Sequence, residues 1–243
     1  MAEKSERLDK AVANRFSVSR KEVKEKIRRG EVTVDGVVVT NPEHRVFENS
    51  EISFGGLTKE KTEFVYIMMN KPAGILTATT DKTRKTVVDL VPTEISRKGI
   101  FPVGRLDKDT TGLLIITNNG EWAHRIVSPK HHVQKEYIVT LDGAVTDEAI
   151  EGFKNGVTLV DGEVCKPAVL ERLDDKNTAR VILREGKYHQ IKRMFGVFGL
   201  GVNALTRASI GGLKLDENLG LGECRVMTDR EVLLAEEKNT CNI

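Results

Sequence analysis

Apolar residues recur along this chain at two spacings, and the spacing switches from segment to segment. Leu8, Ala11 and Val12 lie three and four apart, as on one face of a helix. Ser19 and Glu22 make a capping-box pair, in which each satisfies the other's orphan backbone donor. The helix they open turns Val23 and Ile27 to one side, and Gly30 offers the left-handed residue that ends it. Val32 and Val34 then alternate with polar residues, Asp35-Gly36 is a type I′ hairpin signal, and Val37 and Val39 return. The pattern over 7–54 is two short helices followed by a hairpin. A core this small is only marginally stable alone.

The polar stretch Gly55 to Thr62 opens with two glycines and reads as a linker. The expected division is a small module at 1–57, a connection at 58–63 and a larger domain at 64–243. In the larger domain the pattern predicts strands at 64–70, 113–117, 135–141, 167–173, 178–184 and 202–208. It predicts helices at 121–128, 146–154, 188–198 and 228–237, the second capped by Thr146 and Asp147. Short strands with intervening helices give an α/β or α+β domain; the pattern leaves strand order open.

Composition narrows the class. The chain has 243 residues, 39% apolar and 30% charged, enough to build a core. No apolar run is long enough to span a bilayer and no charged start leads into an apolar stretch, so the expected location is cytoplasmic, without membrane contact. Three cysteines, Cys165, Cys224 and Cys241, show no C-x-x-C spacing, which argues against a disulfide framework or a zinc site. Net charge is only +2, but its distribution is uneven. Seven Lys/Arg and two Glu fall between Arg15 and Arg29; five Lys/Arg and one Glu fall between Arg184 and Arg207. From Asp216 to Glu237 stand seven acids and two Arg. Local basic faces of this kind fit RNA binding better than the total does.

The densest chemical signal is Gly104 to Gly120, which reads GRLDKDTTGLLIITNNG. Asp107 stands at the head of a branched apolar strand, with Arg105 before it and Gly112 after it. A lone Asp there would ordinarily be a turn or cap residue. Three further segments change that reading: Asn70-Lys-Pro-Ala-Gly74, Lys135-Glu-Tyr137, and Glu185-Gly-Lys-Tyr-His-Gln-Ile-Lys-Arg-Met194. In this order, the four segments resemble the motifs of the RsuA branch of the RsuA/RluA superfamily of pseudouridine synthases, and the resemblance covers essentially the whole chain. The 7–54 module likewise resembles the S-four-type RNA-binding domain that RsuA-type enzymes carry at this end. The resemblance implies an α+β protein: the small RNA-binding module, then a catalytic domain with a central, mostly antiparallel mixed sheet and a cleft across it.

It also implies a reaction and a set of residues. Turning uridine into pseudouridine breaks a carbon–nitrogen glycosidic bond, turns the base, and joins its C5 to the same sugar, with no cofactor. Glycosidases handle such a centre with a carboxylate nucleophile and usually a second carboxyl acid. Here Asp107 matches the family's catalytic Asp, adding to the sugar or abstracting a sugar proton. By resemblance Tyr137 stacks on the extruded base and helps remove the C5 proton, and Lys192 pairs with Asp107. The apolar stripe Ile191, Met194, Phe195 and Phe198 leaves His189, Lys192 and Arg193 off the core face of their helix. Arg105 resembles the arginine with which family members engage the RNA around the vacated position, which matters because the target base must leave its stack. RNA contacts are further expected from Lys71, with a structural share, from His131, His132, His189 and Arg193, and in the small module from Arg20, Lys21, Lys24 and Arg28. No carboxylate or Cys stands at ligand spacing from His131-His132, so no metal is expected.

His131-His132 and Tyr188 to Met194 are typical of the small-subunit enzyme, where large-subunit siblings tend to carry Asn-Arg-x-Val/Ile-Arg-Arg. Asp161-Gly162 with Lys166-Pro-Ala168 agrees, whereas Asn119 stands where family members commonly have Asp. The expected partner is therefore small-subunit (16S) ribosomal RNA, free or within an assembly intermediate with ribosomal proteins, bound by a monomer. The alternatives are a large-subunit (23S) synthase of the same family and a non-catalytic ribosome-assembly factor.

Overall fold

The computed structural model describes residues 5–16, 18–47, 50–59, 64–128, 131–173 and 176–238. The chain divides into two compact units, Met1–Glu63 and Phe64–Ile243.

In the first unit, strand β1 (Ser5–Arg7) leads into helices α1 (Leu8–Phe16) and α2 (Arg20–Arg28). Strands β2 (Val32–Val34), β3 (Val37–Val38), β4 (Arg45–Phe47), β5 (Ile52–Phe54) and β6 (Leu57–Lys59) follow. The sheet order is β3-β2-β5-β6, while β1 pairs separately with β4. The Asp35-Gly36 turn has φ 50° and 79°, the two positive values a type I′ hairpin needs. Ser19 accepts from the Glu22 amide at 3.3 Å, so the Ser19 half of the predicted cap is in place. Leu8, Ala11, Val12, Val23, Ile27, Val32 and Ile52 are fully buried between the helices and the sheet.

One buried carboxylate reorganises the basic helix. Asp9 is 0% exposed and is held by Arg20 at 2.8 Å, Arg7 at 3.2 Å and Lys24 at 3.7 Å. Burial pushes its carboxyl up, but the hydrogen bonds from Arg7 and Arg20 outweigh burial and leave its pKa below the ordinary value. Arg20 and Lys24, expected as RNA contacts, thus serve an internal ion-pair cluster, whereas Lys21 and Arg28 are exposed on the same helix.

The second unit is built on a nine-stranded sheet whose main path runs β11-β12-β10-β13-β9-β7-β15. The strands are β7 (Tyr66–Lys71), β8 (Phe101–Pro102), β9 (Thr111–Thr117), β10 (Lys135–Leu141), β11 (Val169–Arg172), β12 (Thr178–Leu183), β13 (Val202–Ile210), β14 (Leu213–Lys214) and β15 (Cys224–Val226). The helices are α3 (Gly120–Val127), α4 (Asp147–Asn155), α5 (Gln190–Val197) and α6 (Asp229–Ala235). Every pairing is antiparallel except β9 with β13. That is the mostly antiparallel mixed sheet that the motifs imply.

Strand β9 explains why its sequence is apolar throughout. Leu114 and Ile116 enter the core on one face, with Phe153, Met194 and Phe195; Leu113 and Ile115 enter the core on the other, with Trp122, Ile126 and Met227. All four are fully buried, each contributing about 1.5–3 kcal/mol of apolar transfer. A strand covered on both faces has no reason to alternate. The parallel seam at its start requires Gly112: at φ 96°, a Cβ there would stand 2.3 Å from the Arg207 carbonyl oxygen. The absent side chain lets β13 approach the loop that carries Asp107.

Helix α5 begins later than the predicted 188. His189 is its N-cap residue in the left-handed region, φ 48° and ψ 33°, so the chain turns into the helix only at Gln190. The Asn119 departure also has a structural role: it caps α3, accepting from the Trp122 amide at 3.0 Å and donating to the Tyr66 hydroxyl at 2.8 Å. Cys165 is buried and Cys224 half-buried; Cys241 lies outside the described residues.

Candidate active site

A cavity of about 740 Å³ opens across the second unit, with Arg105, Asp107, Lys135, Tyr137, His189 and Arg207 among its walls. Segments distant in sequence supply it: the 76–84 stretch, the loop before β9, the end of α3, the neighbouring strands β10 and β13, and the Gly186–His189 turn before α5.

The Asp107 loop is clamped on both flanks. On one side the Thr77 hydroxyl donates to the Leu106 carbonyl at 2.7 Å and accepts from the Leu106 amide at 3.3 Å. On the other, Lys71 donates to the carbonyls of Pro72, Lys108 and Thr110 at 2.9, 3.0 and 3.0 Å. The Gly74 amide adds a bond to the Lys108 carbonyl at 2.9 Å. This corrects the expectation for Lys71: its side chain is 0% exposed and out of reach of any RNA. Burial lowers its pKa to about 8, against the pull of Asp109 and Asp107. Its role is to fix the loop that presents the carboxylate.

Asp107 retains 29% of its side-chain exposure, and the His189 Nε2 lies 3.6 Å from its Oδ1. His189, expected as an RNA contact, instead faces the Asp107 carboxylate. Its ring is also stacked on Tyr188, with centroids 3.8 Å apart, and Tyr188 is 76% exposed at the cavity wall.

Lys192 is not where the motif resemblance puts it. It is half-buried, does not line the cavity, and makes no hydrogen bond or ion pair with a described residue. The cause is the register of α5. Ile191, Met194 and Phe195 turn into the core, and the left-handed His189 swings its own ring toward Asp107. Arg193 is also removed from the RNA-facing set: it binds Asp161 at 2.6 Å and Glu163 at 2.9 Å. Those carboxylates belong to the Asp161-Gly162 segment that the sequence singled out. His131 is half-buried and His132 exposed with φ 55°; neither lines the cavity. Arg105 is exposed and does line it.

Tyr137 is 8% exposed, on β10 directly opposite Arg207 of β13. Two wall residues went unremarked in the sequence. Lys135 opens the Lys-Glu-Tyr motif, two residues from Tyr137 and therefore on the same strand face. Its Nζ donates to the Val133 carbonyl at 3.1 Å, and burial first, then the Arg207 charge, lowers its pKa to about 8. Arg207 is 2% exposed; its Nε donates to the Leu113 carbonyl at 2.8 Å, and its Nη2 is buried without a partner. A legible signal existed: Arg207 shares the strand alternation of buried Leu205, a position where an arginine is out of place unless used. Among the described residues no cluster of three His, Cys, Asp or Glu could hold a metal, and no helix is long and apolar enough to cross a membrane.

Comparison with known proteins places the chain in a family. Residues 65–196 match the RNA pseudouridylate synthase family, and residues 6–52 match the S4 domain. The chain is 43% identical over 235 residues to an RNA pseudouridine synthase of Bacillus subtilis, YtzG, which is described as uncharacterized; the match covers 95% of this chain and 98% of that one. It is 40% identical over 228 residues to the ribosomal small subunit pseudouridine synthase A of Escherichia coli, covering 93% and 98%. A crystal structure of a pseudouridylate synthase superposes with a TM-score of 0.68 at 35% identity, covering 94% of this chain and 99% of that one. This chain belongs to the RNA pseudouridylate synthase family: it is a pseudouridine synthase with an S4 domain ahead of its catalytic domain.

Proposed function

We propose that this enzyme isomerises one uridine of small-subunit (16S) ribosomal RNA. The observation that carries the chemistry is the clamped Asp107 carboxylate, held in a cavity of about 740 Å³ with Tyr137 in its wall. The small-subunit target is supported by the Escherichia coli relative's activity and by the Asp161-Gly162 and Tyr188–Met194 segments.

The target nucleotide leaves its stack and enters the cavity. Asp107 attacks C1′ as the N1–C1′ bond breaks, or takes the 2′ proton to give a glycal; both routes start from the ionised carboxylate. His189, with Nε2 3.6 Å from the carboxylate, is placed to orient it, the position that the motif resemblance gives to Lys192. The freed base turns over Tyr137, and C5 bonds to C1′ as the Asp107–C1′ ester bond breaks or, on the glycal route, as Asp107 returns its proton to C2′; the C5 proton then leaves with help from Tyr137, and N1 gains a proton. The net composition is unchanged, so no cofactor is consumed. Exposed Lys21 and Arg28 of the S4 domain supply phosphate contacts.

The test is tritium release from C5-labelled small- and large-subunit transcripts, with bound ribosomal proteins added. Wild type should release tritium from the small-subunit RNA, and Asp107→Asn should fall to background while binding the RNA normally. Release from the large-subunit RNA alone would reassign the target, and turnover by Asp107→Asn would remove that residue from the chemistry.

A further inference from the structure

The cavity has cations at two levels. Arg84, Arg105 and Lys108 line it from exposed positions, where a phosphate backbone passes. Arg207 and Lys135 line it from within the sheet. Arg207 faces Tyr137 across the β10–β13 pair, Lys135 stands two residues from Tyr137 on β10 itself, and neither has an ion pair with a described carboxylate. Arg207 is the sharper case. Its guanidinium is anchored through Nε to Leu113, which leaves Nη2 buried and donating to nothing. A buried donor without an acceptor costs about 1–3 kcal/mol. Strand β13 carries that cost beside a site where negative charge develops during the reaction.

We propose that Arg207 and Lys135, both in the cavity wall, bind the uracil as it departs, donating from the guanidinium and from Nζ to the carbonyl oxygens on which its negative charge resides. When N1–C1′ breaks, the electron pair stays with the base and spreads from N1 onto O2 and O4. When C5 bonds to C1′ the pair enters the new bond, the C5 proton leaves and N1 is protonated, so the charge exists only between the two bond changes. Donors waiting for it stabilise the transition state more than neutral uridine, which raises the rate rather than the affinity. Lys135 is destabilised as a cation by burial and by Arg207, and an anion forming beside it favours its charged form. The opposing assignment, a backbone phosphate contact, suits the exposed cations better: a phosphate enters the site already charged and remains with the strand.

This inference rests on the pseudouridine synthase reading, and the experiment separates the two. On an RNA in which wild type forms pseudouridine, Arg207→Gln is compared with wild type for binding and for single-turnover rate at saturating enzyme. A rate lower by about 100-fold or more, with Kd within about threefold, is expected for the loss of one such donor. Weakened binding with the saturated rate intact would make Arg207 a phosphate contact and overturn the proposal, as would an unchanged rate. A target uridine replaced by 5-fluorouridine, whose base is the more acidic leaving group, should lose less rate to the substitution; equal losses would show a merely structural role. Should Arg207→Gln fail to fold, Arg207→Lys, which keeps the charge without the second nitrogen, carries the same readings. Absence of pseudouridine from the wild-type reaction would instead strike the parent reading.

Discussion

Two lysines enter this domain at opposite edges of the active-site sheet region, Lys71 at the end of β7 and Lys135 at the start of β10. Burial holds both near pKa 8. Their partners differ. Lys71 uses its ammonium on three backbone carbonyls, two of them in the loop that presents Asp107. Lys135 has one carbonyl, faces the cavity, and neighbours a second cation. A buried charge alone therefore does not mark a functional site. What marks it is donor capacity left open toward a cavity; a charge whose donors are all taken is a structural brace.

The largest effect that would break this contrast is on stability. Lys71→Met leaves three carbonyls without their donor and should cost on the order of 3 kcal/mol. For a chain of this size that lowers Tm by about 6–12 °C, and calorimetry reads it directly. An unchanged Tm would mean that the clamp is not what holds the loop. Lys135→Met should do the reverse. It removes a poorly satisfied cation, so stability should stay within about 1 kcal/mol of wild type. Its single-turnover rate should nevertheless fall about tenfold, because a transition-state donor is gone. A stability loss like that of Lys71→Met, with the rate intact, would erase the distinction.

The smallest effect is on pH dependence. Both lysines fall from 10.5 to about 8 on folding. Between those values the unfolded chain holds protons that the folded chain has released, so the penalty on folding is full below about 8 and fades as pH rises toward 10.5. Unfolding free energy measured by denaturant across that window should carry this upward contribution, and either Met variant should show a flatter profile than wild type. A profile unaffected by both substitutions would contradict the buried charges.

Much of the fold was legible because the relevant forces are local. Strand β10 runs from Lys135 to Leu141, as the sequence pattern predicts, because its buried positions alternate with half-buried ones. The Asp35-Gly36 hairpin was legible because only a few residues tolerate two positive φ values in a row. Strands β8, β14 and β15 were not, because two or three residues are too short to show a period, and each exists only through its partner strand. The candidate site divides the same way. Asp107 and Tyr137 stand in motifs and reach the cavity. Lys71, Lys192 and Arg193 stand in motifs too, yet one is buried under the loop, one lies off the cavity and one is tied to Asp161 and Glu163.

By itself the sequence determined the class of enzyme and the two-part plan, since the motifs that carry the family resemblance are written in contiguous residues, and it singled out Asp107 by the same resemblance. Which cations surround that carboxylate was decided only by tertiary structure. A strand pairing brings Arg207 opposite Tyr137 across a long stretch of intervening chain, and a single left-handed residue turns His189 instead of Lys192 toward Asp107. Charge is a property of a residue, but its partners are set by the packing of distant segments, and no local pattern encodes them.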